Sequence, residues 1–147
     1  MQAQGMAGHM IRRLHQISTA IFAQRMQAEG HDLTPVQFAA LDAILTTPGL
    51  DQAGVAAAIA YDRATIGGVI DRLEHKGLVV RTVSRQDRRA REVRATKAGA
   101  ACFAGVLPVV TALQDDILAG LDAAERRLFV QLARKAIDKI ETPEDRG

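Results

Sequence analysis

The apolar period of this chain changes at Gly77, and few folds accommodate such a change. Before it, Ile66, Val69, Ile70 and Leu73 recur at the spacing of one helix face. After it, Val79, Val80, Thr82 and Val83 form a run of β-formers, and Glu92-Val93-Arg94 can pair back with them. The intervening Ser84-Arg85-Gln86-Asp87-Arg88-Arg89-Ala90-Arg91 is too polar to bury. A helix closed by a glycine just past its end is therefore expected to lead into a two-stranded hairpin with a basic tip. Upstream, Asp51 can cap a short helix over Gln52–Ala60, whose small residues suit close packing, and Asp62 can cap the next, from Arg63 to about Lys76. Two helices joined at a tight break and followed by a basic hairpin make a winged helix-turn-helix.

Further helical patterns surround this unit. Met10–Glu29 places Ile11, Leu14, Ser18, Ile21 and Arg25 on one side. Thr34 and Pro35 read as the cap and first residue of a second helix, with Phe38, Leu41, Ile44 and Leu45 as its stripe and Thr47-Pro48-Gly49 as its stop. Thr96 caps a helix carrying Phe103, Val106, Leu107, Val110, Leu113 and Leu118, which Pro108 should kink, and Asp122 caps a last one carrying Leu128, Leu132, Ala136, Ile137 and Ile140. The expected fold is mainly α with a small two-stranded β-wing. Composition agrees: 26 alanines, five aromatic residues and no tryptophan favour helices over a β-sandwich or barrel. At 147 residues the chain is one domain, with the winged helix-turn-helix lobe over 34–96 and flanking helices over 10–30 and 97–141.

The net charge of +2 hides an asymmetry: nine Lys or Arg and three acids lie between Arg72 and Lys97, and the remainder is net acidic. A compact basic segment on an acidic chain suggests a polyanion partner; a solvated basic hairpin without a partner is the other reading. The acidic remainder argues against a protein that coats nucleic acid or membrane all round. No apolar run approaches the roughly 18 residues of a membrane span, and the opening MQAQGMAGHMIRRLHQ lacks a signal-peptide pattern, so the expected compartment is the cytoplasm. The lone Cys102 excludes an intramolecular disulfide or a Cys-based zinc cage, and its apolar helix suits a core residue. His9, His15, His31 and His75 do not form a metal-ligand spacing, and no nucleophile triad, P-loop or dinucleotide fingerprint occurs. No metal, cofactor, catalytic residue or enzymatic activity is expected.

With Ile66, Val69, Ile70 and Leu73 turned inward, the outer side of the Arg63–Lys76 helix falls on Ala64, Gly68, Asp71 and His75, flanked by Thr65 and Arg72. Two consecutive glycines in a helix cost roughly 1 kcal/mol each against alanine. Small residues let a backbone approach the floor of a DNA groove; relief of crowding against a neighbouring helix is the alternative. The chain has no asparagine to read adenine, so base contacts would fall to Arg63, Thr65 and Arg72. The hairpin offers Arg85, Arg88, Arg89 and Arg91 to phosphates or a narrow minor groove, with Asp87 bracing it.

Asp62-Arg63-Ala64-Thr65-Ile66-Gly67-Gly68-Val69-Ile70-Asp71-Arg72-Leu73-Glu74, Lys76-Gly77-Leu78-Val79, Asp87-Arg88-Arg89-Ala90 and Thr96-Lys97-Ala98-Gly99 together closely resemble MarR-type transcriptional regulators. The resemblance implies a homodimer held by the N- and C-terminal helices, a DNA operator as partner, and repression relieved by a small ligand. It matches Arg88 and Arg89 to the wing arginines and Thr65 with its neighbours to the base-reading segment. Arg12-Arg13-Leu14-His15-Gln16-Ile17, taken with Asp62–Gly68, is similar to the subgroup that governs aromatic-acid breakdown, which implies an aromatic acid or its coenzyme A thioester as effector. A DNA-binding protein without an effector is the alternative.

Arg13, His15, Ser18 and Arg25 lie on or beside the apolar side of the first helix, where polar groups need partners. Two readings stand: hydrogen bonds across a dimer seam, or a pocket between the first two helices and the wing-bearing lobe. In the second, Arg13 supplies the countercharge, His15 and Ser18 hydrogen-bond, and Phe38, Leu41 and Ile21 form the apolar wall.

Overall fold

Side chains that satisfy otherwise orphaned backbone donors set four of the helix starts. A computed structural model describes residues 1–84, 86–87 and 91–142. After a short 3-10 turn at Gln2–Gly5, the chain forms α1 (Ala7–Ala28), α2 (Pro35–Thr46), α3 (Gln52–Ala58), α4 (Ile66–His75), β1 (Val79–Val83), β2 (Arg91–Ala95), α5 (Lys97–Ile117) and α6 (Ala123–Glu141). Thr34 and Gln37 close a reciprocal capping box at α2, and Asp122 and Glu125 close another at α6. Asp51 accepts the Gly54 N–H at 2.7 Å and Thr96 accepts the Gly99 N–H at 3.0 Å.

Two helix boundaries inside the winged lobe depart from expectation. Asp62 does not cap α4; its carboxylate accepts the nearer Ala64 N–H at 2.9 Å, closing a local turn, and α4 begins at Ile66. A short aspartate side chain competes with the helix for its own neighbours' donors. α3 ends at Ala58 because Ala60 turns left-handed, at φ +52°, and Tyr61 N–H reaches back to the Ala56 carbonyl. That is the geometry glycine usually supplies past a helix end. Gly77 does so after α4, at φ +76°, with Leu78 N–H bonded to the Leu73 carbonyl.

β1 and β2 pair antiparallel from Val79↔Ala95 to Val83↔Arg91. The hairpin is also tied to the loop before α3: Val93 N–H donates to the Leu50 carbonyl at 2.8 Å, and Asp51 bridges to Glu92. Leu41, Ile44, Ile66, Ile70, Val79 and Val93 are fully or almost fully buried beneath α2–α4 and the wing. The core continues along α5 through Val106, Val110 and Leu113 to Phe22 and Met26 of α1. Its length and a mean hydropathy of 1.4 would also suit α5 to a membrane span, which the separate apolar runs did not suggest. Its inner side is instead core.

Thr96 explains why this junction carries a threonine and a glycine. Its hydroxyl donates to the Gly77 carbonyl at 2.7 Å, and its N–H to the Leu78 carbonyl at 3.0 Å. A side chain at Gly99 would overlap that Leu78 carbonyl. α5 is thus seated directly on the turn between α4 and the wing.

Candidate nucleic-acid interface and effector cavity

Ile66, Val69, Ile70 and Leu73 are buried, so the opposite side of α4 faces out, as the spacing predicted. Arg63 and Thr65 are exposed in the turn before it, with the Thr65 hydroxyl donating to the Asp62 carbonyl at 3.2 Å. The two glycines part company. A Cβ on Gly67 would stand 3.0 Å from the Gln52 amide nitrogen of α3, which is a packing reason for glycine. A Cβ on Gly68 would meet only the Arg72 guanidinium, at 3.4 Å, so helix packing gives no reason for the second glycine. Arg72 itself lies back along α4 and donates to the Gly68 carbonyl at 3.2 Å.

Of the hairpin arginines, Arg91 is exposed at the tip end of β2, opposite Val83. Arg85, Arg88 and Arg89 lie outside the described residues. Ser84, expected among residues too polar to bury, is only 9% exposed because its hydroxyl accepts the N–H groups of Gln86 and Asp87. Sequence reading missed Arg81 of β1, whose guanidinium reaches Asp71 at 2.7 Å, Glu74 at 3.1 Å and Gln52 at 3.2 Å. Only its position two residues past Val79, on the same strand face, could have flagged it.

His15 and Ser18 line one cavity of about 370 Å³ between α1, α5 and α6. Leu14, Gln114, Phe129 and the half-buried Arg126 complete much of its wall. Arg126 donates to the Leu118 carbonyl at 3.4 Å and pairs with Asp115 at 3.6 Å. Asp116 pairs with Arg25 at 2.5 Å and ties α5 to α1. Arg13 and Phe38 are not brought to this cavity. Arg13 is exposed and bonds Gln16 at 3.4 Å. Phe38 stacks on Phe103 at 5.1 Å and meets Phe22 edge-on at 6.4 Å. Leu41 is fully buried and cannot form an open wall.

Burial pushes the Cys102 thiol above its ordinary pKa, with the Lys76 charge acting the other way. That disfavours the reactive thiolate and fits a packing role. Among the described residues no group of three His, Cys, Asp or Glu side chains is placed to hold a metal.

The short helices α3 and α4, followed by the β1–β2 hairpin, make a winged helix-turn-helix with one side of α4 facing out. A family model described as the MarR family matches residues 31–90. Transcriptional regulator HosA of Escherichia coli O157:H7 is 36% identical over 138 residues, covering 94% of this chain and 99% of HosA. The chain belongs to the MarR family, whose members are transcriptional regulators and not enzymes. The repressor NicR of Pseudomonas putida is 37% identical over 134 residues, covering 91% of this chain and 84% of NicR. Among solved structures, BpsR of Bordetella bronchiseptica, whose DNA binding is regulated by 6-hydroxynicotinic acid, superposes with a TM-score of 0.85 at 33% identity, covering 92% of this chain and 95% of its own.

Proposed function

We propose that the protein is a homodimeric operator-binding repressor, acting in the cytoplasm and released from DNA by an aromatic acid or its coenzyme A thioester. The observation that carries the effector reading is the cavity between α1, α5 and α6, because His15 and Ser18, polar residues on the apolar side of α1, both line it. The likeness to BpsR, whose regulator is an aromatic acid, supports the same ligand class. His15 and Ser18 hydrogen-bond the ligand in this reading. Arg13, which donates a long bond to Gln16, turns to its carboxylate, and Phe38 backs α1 through its contact with Phe22. Arg63, Thr65, Gly68 and Arg72 meet the operator, with Arg85, Arg88, Arg89 and Arg91 on its phosphates.

A ligand releases DNA only if it binds the non-competent form more tightly, and tenfold release needs about 1.4 kcal/mol of such preference. Fluorescence anisotropy on labelled operator, titrated with 6-hydroxynicotinic acid, benzoic acids and their thioesters, measures this. Wild type should be released, and Arg13→Ala should bind DNA normally but resist release. Equal release of both would remove Arg13 from the site. No release by any of these compounds would favour a regulator without an effector.

A further inference from the structure

We propose that Arg81 is a positioning residue for DNA readout, holding α4 at a set rotation against the wing so that helix and hairpin meet the duplex as one rigid piece. This rests on the reading of α4 as the base-contacting helix. Arg81 shares a face of β1 with the fully buried Val79 and so points at α4. Its guanidinium grips Asp71 and Glu74, one turn apart on α4, and Gln52 on α3. Its own N–H donates to the second Glu74 oxygen at 3.2 Å. The side chain is 16% exposed, unlike a swinging surface pair. Gln52 in turn lies against Gly67, so one network touches α4 in its first turn and its last.

The connection between α4 and β1 is already fixed by the Gly77 turn and the Thr96 hydroxyl. The buried stripe of α4 sets its rotation coarsely, and a planar guanidinium holding two carboxylates one turn apart ties that rotation to the wing. A lysine ammonium lacks that fork. Asp71 also stands on the outward side of α4, 69% exposed. Paired with Arg81, its charge is neutralised beside the surface that meets phosphates.

The test uses a duplex that the wild type itself selects from a randomised pool, and a scrambled duplex of equal length. Affinity for both is measured for Asp71→Asn, Arg81→Gln, their double mutant, Arg81→Lys and Thr65→Ala, with a melting curve for each. Below the melting range, Asp71→Asn and Arg81→Gln should each lower the preference for the selected duplex about tenfold, and the double mutant no further, the sign of a shared network. Arg81→Lys should not restore it. Equal losses on both duplexes, losses that track melting alone, or additive effects would overturn the proposal, while Thr65→Ala still lowering the preference would leave the reading of α4 standing. If Thr65→Ala changes nothing, that reading fails and takes Arg81 with it. Should Arg81→Gln not fold, unchanged preference in both Asp71→Asn and Arg81→Lys overturns the proposal.

Discussion

Gly67 and Gly68 look identical in the sequence and have different neighbours in the fold. The first faces the Gln52 amide of α3, and the second faces outward beside a movable arginine. Both explanations of the glycine pair therefore apply, one to each residue. Gly68→Ala should raise stability by up to about 1 kcal/mol, because alanine is the better helix former and nothing rigid blocks its methyl. The same methyl on the outward side should weaken operator binding. Thermal melting paired with anisotropy reads both effects. A Gly68→Ala protein that binds DNA as well as wild type would leave the second glycine without a functional reason.

Elements were legible where their causes are local. The caps at Thr34, Asp51, Thr96 and Asp122 needed only neighbours in sequence, and all four form. Asp62 failed as a cap for an equally local reason, since Ala64 offered a nearer donor. Arg81 and Arg126 were invisible because their surroundings join separate elements: Arg81 on β1 meets α4 and α3, with Gln52 29 residues away, and the cavity beside Arg126 joins both ends of the chain. A strand's alternation shows which way Arg81 points, not what it meets. One cap carries a pH signature. The Glu125 N–H holds the Asp122 carboxyl below its ordinary pKa, with burial opposing. A carboxyl depressed by folding contributes stability above its unfolded value and loses it as pH falls through the folded one. The start of α6 should therefore be unaffected by titration from pH 8 to about 5 and loosen only below the ordinary carboxylate value of about 4. Amide exchange at Glu125, in wild type and in Asp122→Ala, measures this; acid-dependent loosening that persists unchanged in Asp122→Ala would assign it to another group.

At the scale of the molecule, α6 has no buried residue, and Leu132, Ile137 and Ile140 are 54%, 52% and 86% exposed. So much apolar surface on one helix calls for a cover. In the proposed homodimer a second copy across a two-fold axis covers it and would set two recognition helices about 34 Å apart, one turn of DNA. Light scattering at micromolar concentration should give twice the chain mass, and Leu132→Asp should give monomers that have lost operator affinity. A wild-type monomer would contradict this. The seat of α5 has a mechanical corollary. Its first turn is pressed on the Leu78 carbonyl at the wing's root, while its last turn borders the cavity beside α1 and α6. Twenty-one residues make a rod of about 30 Å, so a tilt of about 10° at one end sweeps the other through about 5 Å. In the proposed function α5 is the path between the cavity and the DNA-reading lobe: a ligand lodged against its last turn would tilt the helix and carry with it the lobe seated on its first turn.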